Sequence, residues 1–455
     1  MKRFSYKYKM VALGLILCGL MACNKRLDIE PEQSIPTEVA LSTSQNIENL
    51  LTGAYNRAGR IDMYGGRLQL LSDLYGFTDQ AAWYGTFQQP RQVFNKSVLV
   101  DNSFVSAYWL DAYTLVNMTN LIIDHLEIVD EDIRADVSGG AKFLRGLTYF
   151  DLVRMFGAPY EEGQANSQLG VPIALSGIVD YTGNLEVARN TVQEVYAQVI
   201  TDLNDAFEEL PESNGALANR YTAKALLARV YLQQGNYAEA RDAADEVILN
   251  SGHSLTNTYA AAFNNDANSS EDLFAIQVTS QDDAVTRENQ LIVHYADQAN
   301  GGRGGDVAVE GYVDLFDSDT DVRGDFFYVS RDYGDLLTSK YTNQFGNIPV
   351  IRLAEMYLIR AEANLRLGTS IGASPAADIN TIRSRANASS KSSVTLDDIL
   401  LERELELAFE GFLIHDLKRT GRAIGEFSYD NNALVYPIPQ REMDANSLLV
   451  QNPGY

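Results

Sequence analysis

Residues 221–249 read YTAKALLARVYLQQGNYAEARDAADEVIL, and this stretch decides the fold. Leu227, Ala228, Tyr231, Gly235, Tyr237, Ala240, Ala244 and Val247 keep the spacing of two short antiparallel helices that turn at Gly235-Asn236. Small Ala228 and Ala240 let the two backbones approach closely, while Tyr231 and Tyr237 fill the grooves beside them.

The register is that of a tetratricopeptide unit, with Lys224 in place of the usual bulky residue and Gly252 where a proline often stands. Outward from it, helical spacing recurs in Thr43 to Arg60, through Ile47, Leu50, Leu51 and Tyr55. It returns in Phe104 to Leu126 and in Ile133 to Phe156, a predicted hairpin that stops at Gly157-Ala158-Pro159. Thr191 caps a helix to Leu210, with Glu194 three residues on and Pro211 beyond the end. Helices are also predicted over Ile351 to Leu367, Pro375 to Ala388 and Leu396 to Arg422. The expectation is a mainly α fold, a tetratricopeptide-like helical-repeat scaffold of about four helix pairs.

Two stretches break the pattern. In residues 61–101, Tyr64, Tyr75, Phe77, Trp83, Tyr84 and Phe87 are scattered among Gly and Gln, which reads as loop or short strand. Residues 250–348 form a long non-periodic insertion with an apolar run at Leu273 to Val278 and a glycine-rich run at Asn300 to Asp306. Insertions of that length inside a helical array usually carry function.

At the amino end, Lys2, Arg3, Lys7 and Lys9 precede the apolar run Val11 to Ala22, too short to span a bilayer comfortably. Leu20-Met21-Ala22-Cys23 resembles the lipobox of bacterial lipoproteins, in which a small residue precedes the cysteine that receives the lipid; Cys18 follows Leu17 and fails that test. The expected division is a signal peptide over residues 1–22, a lipidated tether over 23–36 starting at Cys23, and a folded part over 37–455. A mature chain with one cysteine forms no internal disulfide and must rely on its core, which 45% hydrophobic content can supply. Loss of the leader's four cations takes the formal charge from −25 to about −29. Such acidity repels phosphate backbones and anionic headgroups, excluding nucleic acid as a partner, disfavouring acidic or sulfated ligands and leaving membrane attachment to the lipid.

The carboxyl end, Tyr436 to Tyr455 (YPIPQREMDANSLLVQNPGY), is too specified to be a free tail. Pro437 and Pro439 favour an extended run, and Asn452-Pro453-Gly454-Tyr455 reads as a docked turn.

Signals for chemistry are thin. His125, His253, His294 and His415 are far apart and no HExxH occurs, so neither a metal nor a hydrolytic triad is nominated. Asp317, Asp319 and Asp321 imitate the start of a calcium loop, but Val322 replaces the turn glycine and Tyr328 stands where the bidentate glutamate belongs. Asn300 to Asp306 lacks the Gly-Lys-Ser/Thr ending of a phosphate cradle and reads as a flexible surface loop whose one strong donor is Arg303. Arg and Glu residues within the predicted helices read as ion-pair networks that hold a helical stack in register, rather than as an acid-base pair. No cofactor is expected, and the reading is of a protein that is not an enzyme.

Three segments together carry a resemblance: RLAEMYLIRAEA at Arg352 to Ala363, ERELELAFEG at Glu402 to Gly411, and the Tyr436 to Tyr455 tail. They look like the SusD/RagB family, and LRGLTYFDLVRMFG at Leu144 to Gly157 is similar to that family's first repeat. Phe412-Leu413-Ile414-His415 departs from the basic and aromatic residues that often follow Glu410-Gly411 in the family. Lys25 and Arg26, ahead of Asp28 and Glu30, depart from its surface-export signal. The resemblance implies an outer-membrane, lipid-anchored binding protein facing the cell exterior, which hands an oligosaccharide to a SusC-like TonB-dependent transporter. Alternatives are a peptide-binding protein of the same architecture, a tetratricopeptide scaffold without a small ligand and, least favoured, a hydrolase. The resemblance also implies an irregular, loop-rich ligand-binding lobe on the helical scaffold, and in the family ligands meet loops that correspond here to about residues 61–101 and 270–345. Sugar rings stack their C–H faces on aromatics while polar side chains bind the hydroxyls, so Tyr64, Arg67, Asp73, Trp83, Tyr84, Tyr295, Arg303 and Tyr328 are the candidates by chemistry. Trp109 lies on a helical stripe and is assigned to the core.

Overall fold

Gly235 is where the repeat turns: it takes the left-handed conformation at φ 76°, and its N–H meets the carbonyls of Leu232 and Tyr231. The computed structural model describes residues 41–180, 182–279 and 289–455. The expected signal peptide, Cys23 and the expected tether lie outside the described residues.

In chain order the helices are α1 (Ser44–Ala58), α2 (Arg67–Gly76), α3 (Gln88–Phe94), α4 (Ser103–Ile123), α5 (Arg134–Phe156), α6 (Val192–Glu209) and α7 (Arg220–Gln234). They continue as α8 (Tyr237–Asn250), α9 (Gln290–Tyr295), α10 (Leu353–Leu367), α11 (Pro375–Arg385), α12 (Leu396–Glu406), α13 (Leu413–Arg419) and α14 (Gln440–Ala445). Among the described residues, six short strands, β1 (Ala81–Trp83), β2 (Asp272–Ile276), β3 (Val307–Val309), β4 (Phe327–Val329), β5 (Leu336–Thr338) and β6 (Ile348–Arg352), form three antiparallel pairs: β1 with β3, β2 with β6, and β4 with β5. Among the described residues, no helix is long and apolar enough to cross a membrane.

The scaffold is the helical-repeat stack that the spacing predicts. Helix α1 packs on α4, α5 on α6, α7 on α8 and α10 on α11; successive pairs join through α4–α5, α6–α7 and α8–α10. Local chemistry starts the helices where it should. Thr191 and Glu194 close a reciprocal capping box on α6, Asn219 and Thr222 close one on α7, and Ser374 with Pro375 opens α11.

Three expectations are corrected. Residues 61–101 are not all loop, because α2 and α3 lie within them. Nine of the ten residues of α2 are buried, so it has no polar face and no amphipathic period for a sequence to display. The single helix expected over Leu396 to Arg422 breaks between α12 and α13, where Phe409 takes φ 62° and Gly411 φ 86°. Tertiary partners hold that break: the Tyr341 hydroxyl donates to the Phe409 carbonyl at 2.6 Å, and the Gly411 N–H donates to Asp73 Oδ1 at 2.8 Å. Lastly, the tail is not extended throughout, since α14 interrupts it.

The tail is docked all the same. Asn452 Nδ2 donates to the carbonyls of Phe156 (2.8 Å) and Tyr436 (2.7 Å), and the Tyr455 hydroxyl to that of Val435 (2.9 Å). Arg189 spreads its donors over Gly170, Phe156, Leu169 and Val450 carbonyls and Asn452 Oδ1, all uncharged oxygens. Burial without a counter-charge at contact lowers its pKa to about 10.

Buried ion pairs tie the stack to the loops. Arg352 donates to Glu271 (2.5 Å), Glu406 (3.1 Å) and Glu410 (2.7 and 2.8 Å); Arg385 bridges Glu271 and Glu406; Arg323 joins Asp321 (2.6 Å) and Glu402 (2.7 Å). Asp317 pairs with Arg383 and Lys391, so two of the three aspartates that imitate a calcium loop are committed to cationic side chains. Burial alone would raise Glu406, but Arg385, Arg352 and Arg323 outweigh it and hold its pKa at about 2, below the ordinary 4.5.

A carboxylate held below its unfolded pKa stabilises the fold fully above that value and loses its contribution as pH falls through the folded one. Stability from Glu406 is therefore present above about pH 4.5 and declines toward pH 2. Urea titrations at stepped pH should show unfolding free energy falling across that window, and less steeply in Glu406→Gln. Arg352→Ala, which strips three buried carboxylates of a partner, should cost about 3–5 kcal/mol in the same assay at neutral pH.

Candidate functional site

Strand β1 reaches the surface beside β3, with Ala81 opposite Val309 and Trp83 opposite Val307. Alternation along this ladder turns Trp83 into the protein and lets Tyr84 out. Trp83 is 3% exposed and Tyr84 58%. The N–H groups of Tyr84 (2.8 Å) and Gly85 (3.2 Å) donate to the Asp306 carbonyl, extending the pairing past β3. The Tyr84 hydroxyl donates to Glu310 Oε1 at 2.6 Å, which fixes the ring and raises the phenol's pKa.

Beside this ladder, Tyr84, Gly85, Thr86, Arg303, Gly305, Asp306, Tyr333 and Asp335 line a cleft of about 320 Å³. Tyr333, on the turn between β4 and β5, is 71% exposed. Gly304, at φ 126°, lies so close to this ring that a Cβ there would stand 2.7 Å from it. Gly85 is equally confined, since a Cβ would meet Trp83 at 2.5 Å and Asp306 at 2.6 Å. Arg303 lies over the Phe87 ring at 4.0 Å, with Nη2 3.3 Å from Thr86 Oγ1 and Nε 3.6 Å from Asp306 Oδ2. Beneath it, buried His294 holds Asp306 through Nδ1 at 2.8 Å, and burial keeps the imidazole's pKa below its ordinary value.

Of the eight candidates, the structure brings Tyr84 and Arg303 together in this cleft. Tyr328 is half-buried, its hydroxyl accepting the Asp297 N–H at 3.0 Å and so joining β4 to the 297–305 loop. Arg67 pairs with Asp62 at 2.6 Å and covers the Phe104 ring at 4.1 Å. The other four are buried. Tyr64 donates to Asp151; Tyr295 donates to Asp73 at 2.9 Å; Trp83 packs on His294 with ring centres 5.6 Å apart. Burial pushes Asp73 up to about 8 despite its bonds from Tyr295 and Gly411. Tyr333 was missed by the sequence reading, although it stands between charged Asp332 and Gly334 in a turn pattern, where a large aromatic has little core to enter. Trp109 is in the core, as its helical stripe predicts.

The structure is thus a helical-repeat scaffold with an aromatic-lined cleft on its loops. The chain belongs to the SusD/RagB family: residues 25–232 match a family model described as starch-binding and associating with the outer membrane, and residues 317–436 match the SusD family model. A SusD-like protein (P2) of Formosa agariphila is 27% identical across 99% of this chain and all of its own. A solved structure from Bacteroides vulgatus, of a candidate sugar binding protein, superimposes with TM-score 0.80 at 30% identity, covering 91% of this chain and 99% of its own. A laminarin-binding SusD-like protein shares the fold with TM-score 0.76 at 24% identity, over 91% of this chain and all of the other.

The burial contrast between neighbours Trp83 and Tyr84 gives opposite expectations. Trp83→Ala should cost about 3–5 kcal/mol of folding stability, while Tyr84→Ala and Tyr333→Ala should stay within about 0.5 kcal/mol of the parent, as read by chemical denaturation.

Proposed function

We propose that the protein captures a neutral oligosaccharide in the Tyr84–Arg303–Tyr333 cleft and delivers it to a SusC-like TonB-dependent transporter in the outer membrane. The observation that carries this reading is that two exposed tyrosines and a single guanidinium line one cleft. Rings of this kind stack on the C–H faces of a sugar, and Arg303, Asp306 and Asp335 supply donors and acceptors for its hydroxyls. The carboxylates outnumber Arg303 in the lining, which favours uncharged saccharides over acidic ones. The family's description as starch-binding and the laminarin-binding neighbour support a glucan as the first class to try.

No step of chemistry is assigned to the cleft. Asp306 holds His294 and neighbours Arg303, and the role is capture, with energised transport left to the barrel. Anchoring through a lipid on Cys23, with the cleft facing outward, completes the proposal.

Calorimetry against starch- and laminarin-derived oligosaccharides, acidic glycans and peptides should give binding to neutral glucans alone. Tyr84→Ala and Tyr333→Ala should each weaken it about tenfold, in line with roughly 1–1.5 kcal/mol for an aromatic contact. Binding of peptides instead would move the protein to the peptide-capturing alternative, and release of shortened sugar would refute capture without chemistry. In cells, Cys23→Ala should shift the protein from the membrane fraction to the soluble one.

A further inference from the structure

A polar cavity of about 40 Å³ lies where α2 meets α5, α7 and the turn between α12 and α13, and the binding reading makes no use of it. Its polar lining includes Tyr64, Gln69, Asp151, Arg154, Arg229 and His415. Two of their buried atoms have no hydrogen-bond partner among the described residues: the acceptor Gln69 Oε1 and the donor Arg154 Nε. Gln69 Nε2 donates to the Tyr64 carbonyl at 3.3 Å, and Arg154 Nη2 donates to Asp151. The amide cannot simply be turned round, because its oxygen would then face the Tyr64 carbonyl.

The chemistry of the lining selects the occupant. An anion would suit Arg154 but would face Gln69 Oε1 and the carboxylates of Asp151 and Glu410, which also line the space. A cation would face the guanidinium groups of Arg154 and Arg229. An apolar group would leave both Oε1 and Nε unmet, which is costly in a buried site. Only a small molecule that donates and accepts satisfies both, and a single water needs roughly 10–15 Å³ on this measure.

We infer that this cavity is a resident water site, holding about two or three molecules that bridge Gln69 of α2 to Arg154 of α5. Water here mortars the lobe to the repeat stack. The buried His415 ring, held neutral by burial and by the nearby cations Arg154, Lys418 and Arg229, offers one further donor and one further acceptor to the same cluster.

A crystal structure of the full folded chain at about 1.8 Å or better should show ordered water within hydrogen-bonding distance of both Gln69 Oε1 and Arg154 Nε. Absence of density at both atoms overturns the assignment, and so does an anomalous peak there after a bromide soak, which would make it an anion site. In solution, oxygen-17 relaxation dispersion should count at least one fewer long-lived water in Gln69→Met than in the parent. An unchanged count overturns the assignment too, and the parent crystal decides the matter if that variant fails to fold.

Discussion

Glu406 is a carboxylate with no exposure, placed among three guanidinium groups that arrive from different parts of the chain. Arg385 comes from α11, Arg352 from the end of β6 and Arg323 from the loop ahead of β4. Removing so many charges from water is expensive, and Coulomb attraction repays it only when every partner is in place. Such a cluster is poor as a source of net stability and effective as a test of register, because one misplaced element leaves a bare charge in the interior. Glu271, at the head of β2, is drawn into the same cluster, so the β2–β6 pair is positioned by the requirement that fixes α11 and α12. The ladder that carries Tyr84 is set on this foundation through the 307–312 segment, where the Tyr312 hydroxyl donates to the Leu405 carbonyl at 2.9 Å.

Parts of the molecule that obey local rules could be read from the sequence. The Gly235 turn, the Thr191 box and the Asn452 dock each depend on residue types with few conformational alternatives. Helix α2 could not be read, since a helix buried all round carries no face, and the Phe409 break could not, since its cause is Tyr341 and Asp73, far away in the chain. The candidate cleft was half legible. Chemistry selected Tyr84 and Arg303, but it equally selected Trp83, one residue away on the inward side of a three-residue strand. Which neighbour faces out is a matter of strand register, and so short a strand gives no alternation to count.

The fold and its cargo are specified at different scales. Structures about a quarter to a third identical share the architecture, because it rests on repeat packing and ion pairs distributed over the whole chain. The cleft rests on a handful of loop residues held by two close glycine contacts, at Gly85 and Gly304. Family membership therefore leaves the ligand to be argued from those residues.

Arg189 links the order of synthesis to the order of folding. Its guanidinium is buried against carbonyls of Phe156, Leu169 and Gly170, yet two of its bonds go to Val450 and Asn452, 261 and 263 residues further along the chain. Until those residues emerge, the joint between α5 and α6 holds a cation whose coordination is incomplete. A chain growing from its amino end can stack its repeats early but cannot close this lock. Folding of this joint thereby depends on segments that synthesis delivers far apart in time.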